Sequence, residues 1–341
     1  MSRTPAPARE AARPDSPARR EAPVVRPFDR PVPEALLSGR AFFVERADEA
    51  GGSVRLRCKL VRPSAPPFDV DPRGTVIVYP GRTEFIEKYF ETADDLLARG
   101  FVVLITDPRG QGLSGRLTAD PLKSYVARFG DYASDIGFIA GELADELPRP
   151  HILFGHSMGG LVVLQAVIDG HYRPDALVAS APMLGLFDVA TPILKYGFRA
   201  LDRLGLGERD LPFQKQERGI PVPFEGNKLT SDPGRFSRWA EYFQTTPPLR
   251  VAGPTIRWLA ESVRAMDHVN RHARRLDVPS LLIAPGGDPI VDPASIREFA
   301  ERAGADVLTI AGARHEVVME RDEYRTQFFD ALDAFLEREG F

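Results

Sequence analysis

The chain has 341 residues, 43% hydrophobic and 27% charged, with a formal net charge of −4. This length fits one large α/β domain with an insertion, or two domains, and the composition is that of an ordinary globular protein. The slight acidity gives no reason to expect nucleic acid as a partner, and no apolar run reaches the ~18–20 residues that span a bilayer.

Residues 1–35 hold eight prolines, seven arginines and five acidic residues, without an apolar stretch. They make no secretory signal. A segment with so little apolar surface to bury is expected to be a disordered tail. Its arginines would allow transient contact with an anionic membrane surface, and its acidic residues dilute that tendency. The core is expected from residue 36. Residues 54–60 alternate like a strand, with the only cysteine, Cys58, as filler. One cysteine excludes an internal disulfide and a cysteine metal cluster, and it fits a reducing compartment. The cytoplasm is the expected location.

Residues 74–79 read as a buried strand ending at Pro80-Gly81, and residues 85–99 as a helix closed by Gly100 as a left-handed cap. Residues 101–106 form the next strand, followed by the loop Asp107-Pro108-Arg109-Gly110-Gln111-Gly112-Leu113-Ser114-Gly115. Residues 132–147 look helical. The apolar His151-Ile152-Leu153-Phe154 then leads into Gly155-His156-Ser157-Met158-Gly159, and the helix-like Gly160-Leu161-Val162-Val163-Leu164-Gln165-Ala166-Val167 leaves it. A serine on a sharp strand-to-helix turn projects its hydroxyl from the sheet edge, and glycines on both sides let strand and helix pack closely. Residues 176–180 form another strand. From about 184 to 276 the rhythm breaks into amphipathic stretches and proline-rich loops. It returns with strands at 280–284 and 306–310 and helices at 294–303 and 324–338. Continuous apolar runs alternating with helices predict a mostly parallel sheet covered on both faces. Functional sites in such sheets lie at the carboxyl ends of the strands.

A serine hydroxyl needs a histidine to take its proton and a carboxylate to orient that histidine. Six histidines are present. His151 opens a strand at the far end of the sheet, His156 adjoins the serine facing away, and His171 lies beyond the far end of the helix. His268 and His272 have metal-binding spacing, but without a third ligand in sight they read as a solvated helix face. His315, in a loop directly after a core strand, is the expected base. For the acid, Asp288 directly follows a strand and is favoured over Asp292, which is placed to cap a helix that starts at Pro293. The order Ser157, Asp288, His315 is the chain order of α/β-hydrolases. The oxyanion hole is expected to use the backbone N–H groups of Met158 and Arg82, with Gly81, Glu84 and His156 as substrate contacts.

With these motifs the chain resembles the α/β-hydrolase superfamily, and within it the bacterial lysophospholipase and monoacylglycerol-lipase-like branch, often grouped with serine aminopeptidases. The segments that carry the likeness are Tyr79-Pro80-Gly81-Arg82-Thr83-Glu84, the 107–115 loop, the Ser157 turn, Asp288-Pro289-Ile290-Val291-Asp292 and Ala313-Arg314-His315-Glu316. They cover residues 41–341 apart from the insertion. Many relatives carry His-Gly where this chain has Pro80-Gly81, and the proline-rich tail has no counterpart. The resemblance implies an α/β-hydrolase core at 36–183 and 277–341, a helical lid at 184–276, and hydrolysis of a fatty-acyl ester. No metal or organic cofactor is implied, because acyl transfer by this machinery needs neither.

The 184–276 stretch carries fifteen Lys and Arg against ten Asp and Glu, together with both tryptophans, Trp239 and Trp258. Leu186, Phe187, Ile193, Leu194, Tyr196, Phe198 and Leu201 lie there too. Apolar lining with basic residues suits an amphiphilic lipid ester with an anionic head group, such as a lysophospholipid. Packing of these helices on the core with solvated arginines accounts for the same residues. Two other functions stay open. A proline-iminopeptidase type would need an acidic subsite, which Glu84 could supply. A non-catalytic binding protein on the same fold would usually have lost a triad residue.

Overall fold

The computed structural model describes residues 19–25, 39–47, 52–63, 71–187, 192–211 and 223–341. Among them, eight strands form one sheet in the order β1-β2-β4-β3-β5-β6-β7-β8. These are β1 (Arg40–Ala47), β2 (Ser53–Val61), β3 (Gly74–Tyr79), β4 (Phe101–Thr106), β5 (His151–His156), β6 (Ala176–Ser180), β7 (Ser280–Pro285) and β8 (Asp306–Ile310). From β4 to β8 every neighbouring pair is parallel, while β1 and β2 pair antiparallel at one edge. The sequence reading has no counterpart of β1.

Among the described residues, eight α-helices accompany the sheet: α1 (Phe90–Ala98), α2 (Gly130–Glu142), α3 (Met158–Ile168), α4 (Pro192–Leu201), α5 (Pro233–Thr245), α6 (Ile256–Arg271), α7 (Pro293–Ala303) and α8 (Asp322–Arg338). Alternation along the strands divides the core. Ile77 and Tyr79 pack with α2, α3, α6 and α7 on one face, and Val76 and Val78 pack with α1 and α8 on the other. Where one continuous helix was expected at 85–99, a 3₁₀ turn at Ile86–Tyr89 precedes α1. Gly100 does close the segment, with φ +85°.

The chain leaves β3 toward β4 on one side, and β5 pairs with the other side of β3. This switch opens a crevice at the carboxyl ends of β3 and β5. The register sets Tyr79 opposite Gly155, so the loop after β3 lies against the turn after β5. Helices α4, α5 and α6 lie between β6 and β7 in the chain. Phe85, from the core, anchors a separate cluster of Phe236, Trp239, Tyr242, Phe243 and Leu249.

The disordered-tail expectation needs correction for residues 19–25; residues 1–18 and 26–38 lie outside the described residues. The edge of β1 offers unpaired backbone groups. Ala22 N–H donates to Ala41 O and Phe43 N–H to Arg20 O, at 3.0 and 2.9 Å. Pro23 O accepts from buried Arg57, and Val25 N–H donates to Glu87. Burying Arg57 and Glu87 therefore depends on this segment. Deleting residues 1–25 is expected to lower Tm by several degrees, because unpaired buried polar groups cost about 1–3 kcal/mol each. An unchanged Tm would show that these contacts contribute nothing.

Candidate active site

Ser157 sits between β5 and α3 with φ 53° and ψ −116°. A non-glycine residue there stores about 1–3 kcal/mol of strain, held only where the surroundings over-determine it. Here Ser157 N–H donates to Ser180 O, and Ser157 O accepts from Leu161 and Met183. A Cβ on Gly155 would lie 2.4 Å from Gly159 O, and one on Gly159 would lie 2.1 Å from Tyr79 O. Only glycine permits this closeness of strand, helix and β3 loop.

The structure brings Ser157, His315 and Asp288 together from the ends of β5, β8 and β7. His315 Nε2 is 2.9 Å from Ser157 Oγ, and His315 Nδ1 is 2.7 Å from Asp288 Oδ2. The other Asp288 oxygen accepts from Ile290 N–H at 2.8 Å and Val291 N–H at 3.1 Å. The carboxylate is thus fixed and shut off from solvent. Asp292 lies elsewhere, accepting from Ala294 N–H as the N-cap of α7.

The loop after β3 is tightly held. Gly81 N–H donates to Glu84 Oε2, and Gly81 O accepts from Gln111 Nε2. Gln111 Oε1 takes the N–H of Thr83, whose φ of 64° is unusual for a β-branched residue. Among the described residues, no protein acceptor takes the backbone N–H of Arg82 or Met158. Both are therefore available to a developing oxyanion.

Glu84 and His156 are not placed as substrate contacts. Glu84 is buried, and besides Gly81 its oxygens take Lys88 Nζ at 2.8 Å and Tyr89 Oη at 2.6 Å. Burial alone would raise its pKa; the Lys88 ammonium, followed by His156, instead holds it down at about 2. Lys88 also pairs with Glu316 at 2.5 Å. Burial raises the Glu316 pKa against the pull of Lys88. Glu84, His156 and Glu316 stand close enough to form a small metal site, but Lys88 Nζ already bonds both carboxylates, at 2.8 and 2.5 Å. Burial pushes the His156 pKa down to about 4, so its ring is neutral. That ring lies 4.9 Å from the His315 ring.

Several supporting residues carried no sequence signal. Buried Glu320 accepts from Arg314 N–H and from Ser231 N–H and Oγ–H, and Glu316 N–H donates to Leu229 O. These bonds tie the His315 loop to the insertion. Asp107 joins Arg57, Ile86 N–H and Leu113 N–H under the β3 loop. Among the other histidines, His151 bonds Tyr172 and Leu147 O, and His268 pairs with Asp169. His272 contacts the His268 carbonyl.

The insertion differs from the expected apolar lining. Trp239 and Trp258 are buried, packed on Phe236 and Phe129 respectively, while Phe187, Tyr196 and Leu201 are exposed. The side chains of Ile193 and Leu194 lie outside the described residues. Several of its arginines face carboxylates: Arg235 with Glu91 and Asp322, Arg257 and Arg264 with Asp202, and Arg199 with Asp267.

This sheet order and the strand–turn–helix around Ser157 define an α/β-hydrolase. A family model described as serine aminopeptidase, S33, matches residues 70–322, and the chain belongs to that family. It is 35% identical over 277 residues to lysophospholipase L2 of Escherichia coli K12, spanning 77% of this chain and 80% of that one. It is 25% identical over 263 residues to a monoacylglycerol lipase of Mycolicibacterium smegmatis, spanning 75% and 85%. Among solved structures, the monoacylglycerol lipase of Paleococcus ferrophilus superposes with TM-score 0.64 at 22% identity, over 80% of this chain and 96% of that one. A soluble variant of Saccharomyces cerevisiae monoglyceride lipase gives 0.69 at 17% identity, over 91% and 99%. At such identities the structural likeness speaks for the fold alone. Among the described residues, no helix is long and apolar enough to cross a membrane.

Proposed function

We propose that this chain is a serine esterase acting on fatty-acyl amphiphiles of the lysophospholipid or monoacylglycerol class. The observation that carries the mechanism is the unbroken path from Asp288 through His315 to Ser157 Oγ. Ser157 attacks the ester carbonyl while His315 takes its proton, and Asp288 holds the ring and stabilises the imidazolium. The N–H groups of Met158 and Arg82 receive the oxyanion, and losing one such donor typically costs ~2.7–4 kcal/mol. His315 then gives the proton to the leaving alcohol. Water repeats the sequence on the acyl-enzyme and releases the fatty acid.

The kinship with lysophospholipase L2 and monoacylglycerol lipase supports the lipid class. An aminopeptidase would need a free carboxylate for the substrate amino group, and Glu84 is already bound by Lys88, Tyr89 and Gly81. The insertion at 184–276 serves as the lid over the site. The cytoplasm is the location in this reading, in keeping with the single buried Cys58.

Rates on p-nitrophenyl esters are expected to rise from acetate to octanoate, each buried methylene adding up to ~0.8 kcal/mol of binding. A flat profile would remove the acyl pocket from this reading. Efficient cleavage of aminoacyl amides with poor ester turnover would favour the peptidase.

A further inference from the structure

Arginines withdrawn from solvent in this molecule mostly face carboxylates; Arg116, which bonds the Gly110, Gly112 and Pro248 carbonyls, and the half-buried Arg82 do not. Arg57 faces Asp107 and Glu87, Arg109 faces Asp135, and Arg235 faces Glu91 and Asp322. Arg82 has no carboxylate among the described residues. Its Nη1 donates to Ala252 O at 3.2 Å, and its guanidinium packs 5.6 Å from the centre of the Trp258 ring. Burial pushes its pKa down to about 10, a direction opposite to that of Arg57, Arg109 and Arg235. It still keeps partial access to solvent. Beside it, the Trp258 indole N–H is buried near the Tyr132 hydroxyl without a well-formed hydrogen bond. A partly desolvated cation without a carboxylate, with a spare donor nearby and an opening to solvent, is suited to receive an anion.

The position of Arg82 says where that anion would come from. In the esterase reading its backbone N–H faces the oxyanion, which puts its guanidinium within one arginine side chain's length of the ester carbonyl. In a lysophospholipid, glycerol separates the acyl carbon from phosphorus by one bond more than separates the Arg82 Cα from its Cζ. We infer that the Arg82 guanidinium is a phosphodiester subsite, holding the head-group phosphate of a lysophospholipid whose acyl carbonyl lies on Ser157. Arg82 would then serve the substrate twice, by its backbone at the carbonyl and by its fork at the phosphate. The insertion supplies the Trp258 wall of the subsite.

This inference rests on the esterase reading above. Its test compares kcat/KM for a short-chain lysophosphatidylcholine and for the 1-monoacylglycerol of equal acyl length, both below their micellar concentrations. The quantity read is their ratio. It is expected to fall about tenfold or more in Arg82→Met, with part of the preference kept in Arg82→Lys. Arg82→Gln, which can still donate to Ala252 O, gives the same reading if the methionine variant folds poorly. A ratio unchanged in the neutral variants would overturn the subsite and leave Arg82 as a pin between core and insertion. Inorganic phosphate that inhibits p-nitrophenyl ester turnover only when Arg82 is present, with the lipid ratio unmoved, would assign the site to a free anion and also overturn it. Wild-type turnover of p-nitrophenyl esters with neither lipid cleaved would remove the amphiphile reading itself.

Discussion

Replacing Ser157 with alanine is expected to lower ester turnover by about a millionfold and to abolish covalent labelling by a fluorophosphonate. The size follows from the cooperation of nucleophile and base: once either is gone, the other has nothing to act on. His315→Ala is therefore expected to fall nearly as far, and Ser157→Ala with His315→Ala little further. The fold should survive the serine change, because Ser157 is held through its backbone contacts to Ser180, Leu161 and Met183. Alanine keeps the Cβ, so the strained φ of 53° is unchanged and gives the variant neither gain nor loss. Intact-mass analysis after fluorophosphonate treatment, with the adduct mapped to its peptide, checks the assignment. An alanine variant labelled as fully as the wild type would place the nucleophile elsewhere.

What the sequence disclosed follows a physical divide. The strands β3 to β8 were legible because a parallel sheet buried on both faces needs unbroken apolar runs, and those runs are visible in residues such as Phe101–Thr106. Ser157 was legible because Gly155 and Gly159 are demanded by backbone approach, not by preference. Asp292 and Pro293 announce a helix start, which left Asp288, directly after a strand, as the expected acid. Other features left no such trace. Strand β1 is half-exposed and gains its place by pairing with β2 and with residues 20–22, contacts that its own short pattern does not announce. Lys88, Gln111 and Glu320 look like surface residues until the fold surrounds them with partners. Their role is to fix the loops that carry Arg82 and His315. The tryptophans of the insertion left two readings open, lining and packing, and the fold shows Trp239 packed on Phe236 and Trp258 on Phe129.

Asp288→Asn is expected to cost about 10⁴ in kcat with little loss of stability, and the reason lies in how its two oxygens are used. Oδ1 accepts from Ile290 and Val291 N–H, a turn that an asparagine carbonyl oxygen can keep. The amide nitrogen then takes the place of Oδ2, 2.7 Å from His315 Nδ1. Two donors cannot face each other, so the imidazole must carry its proton on Nε2. That nitrogen lies 2.9 Å from Ser157 Oγ and can no longer accept the serine proton. The imidazolium also loses its counter-charge. Asp292→Asn should leave kcat within a few fold, because Asp292 only caps α7 and asparagine caps a helix about as well. Measuring kcat and Tm for both variants separates the two roles. If the Asp292 variant proved the more damaged in kcat at unchanged Tm, the acid would be Asp292, and the Asp288 contact with His315 would carry no catalytic weight.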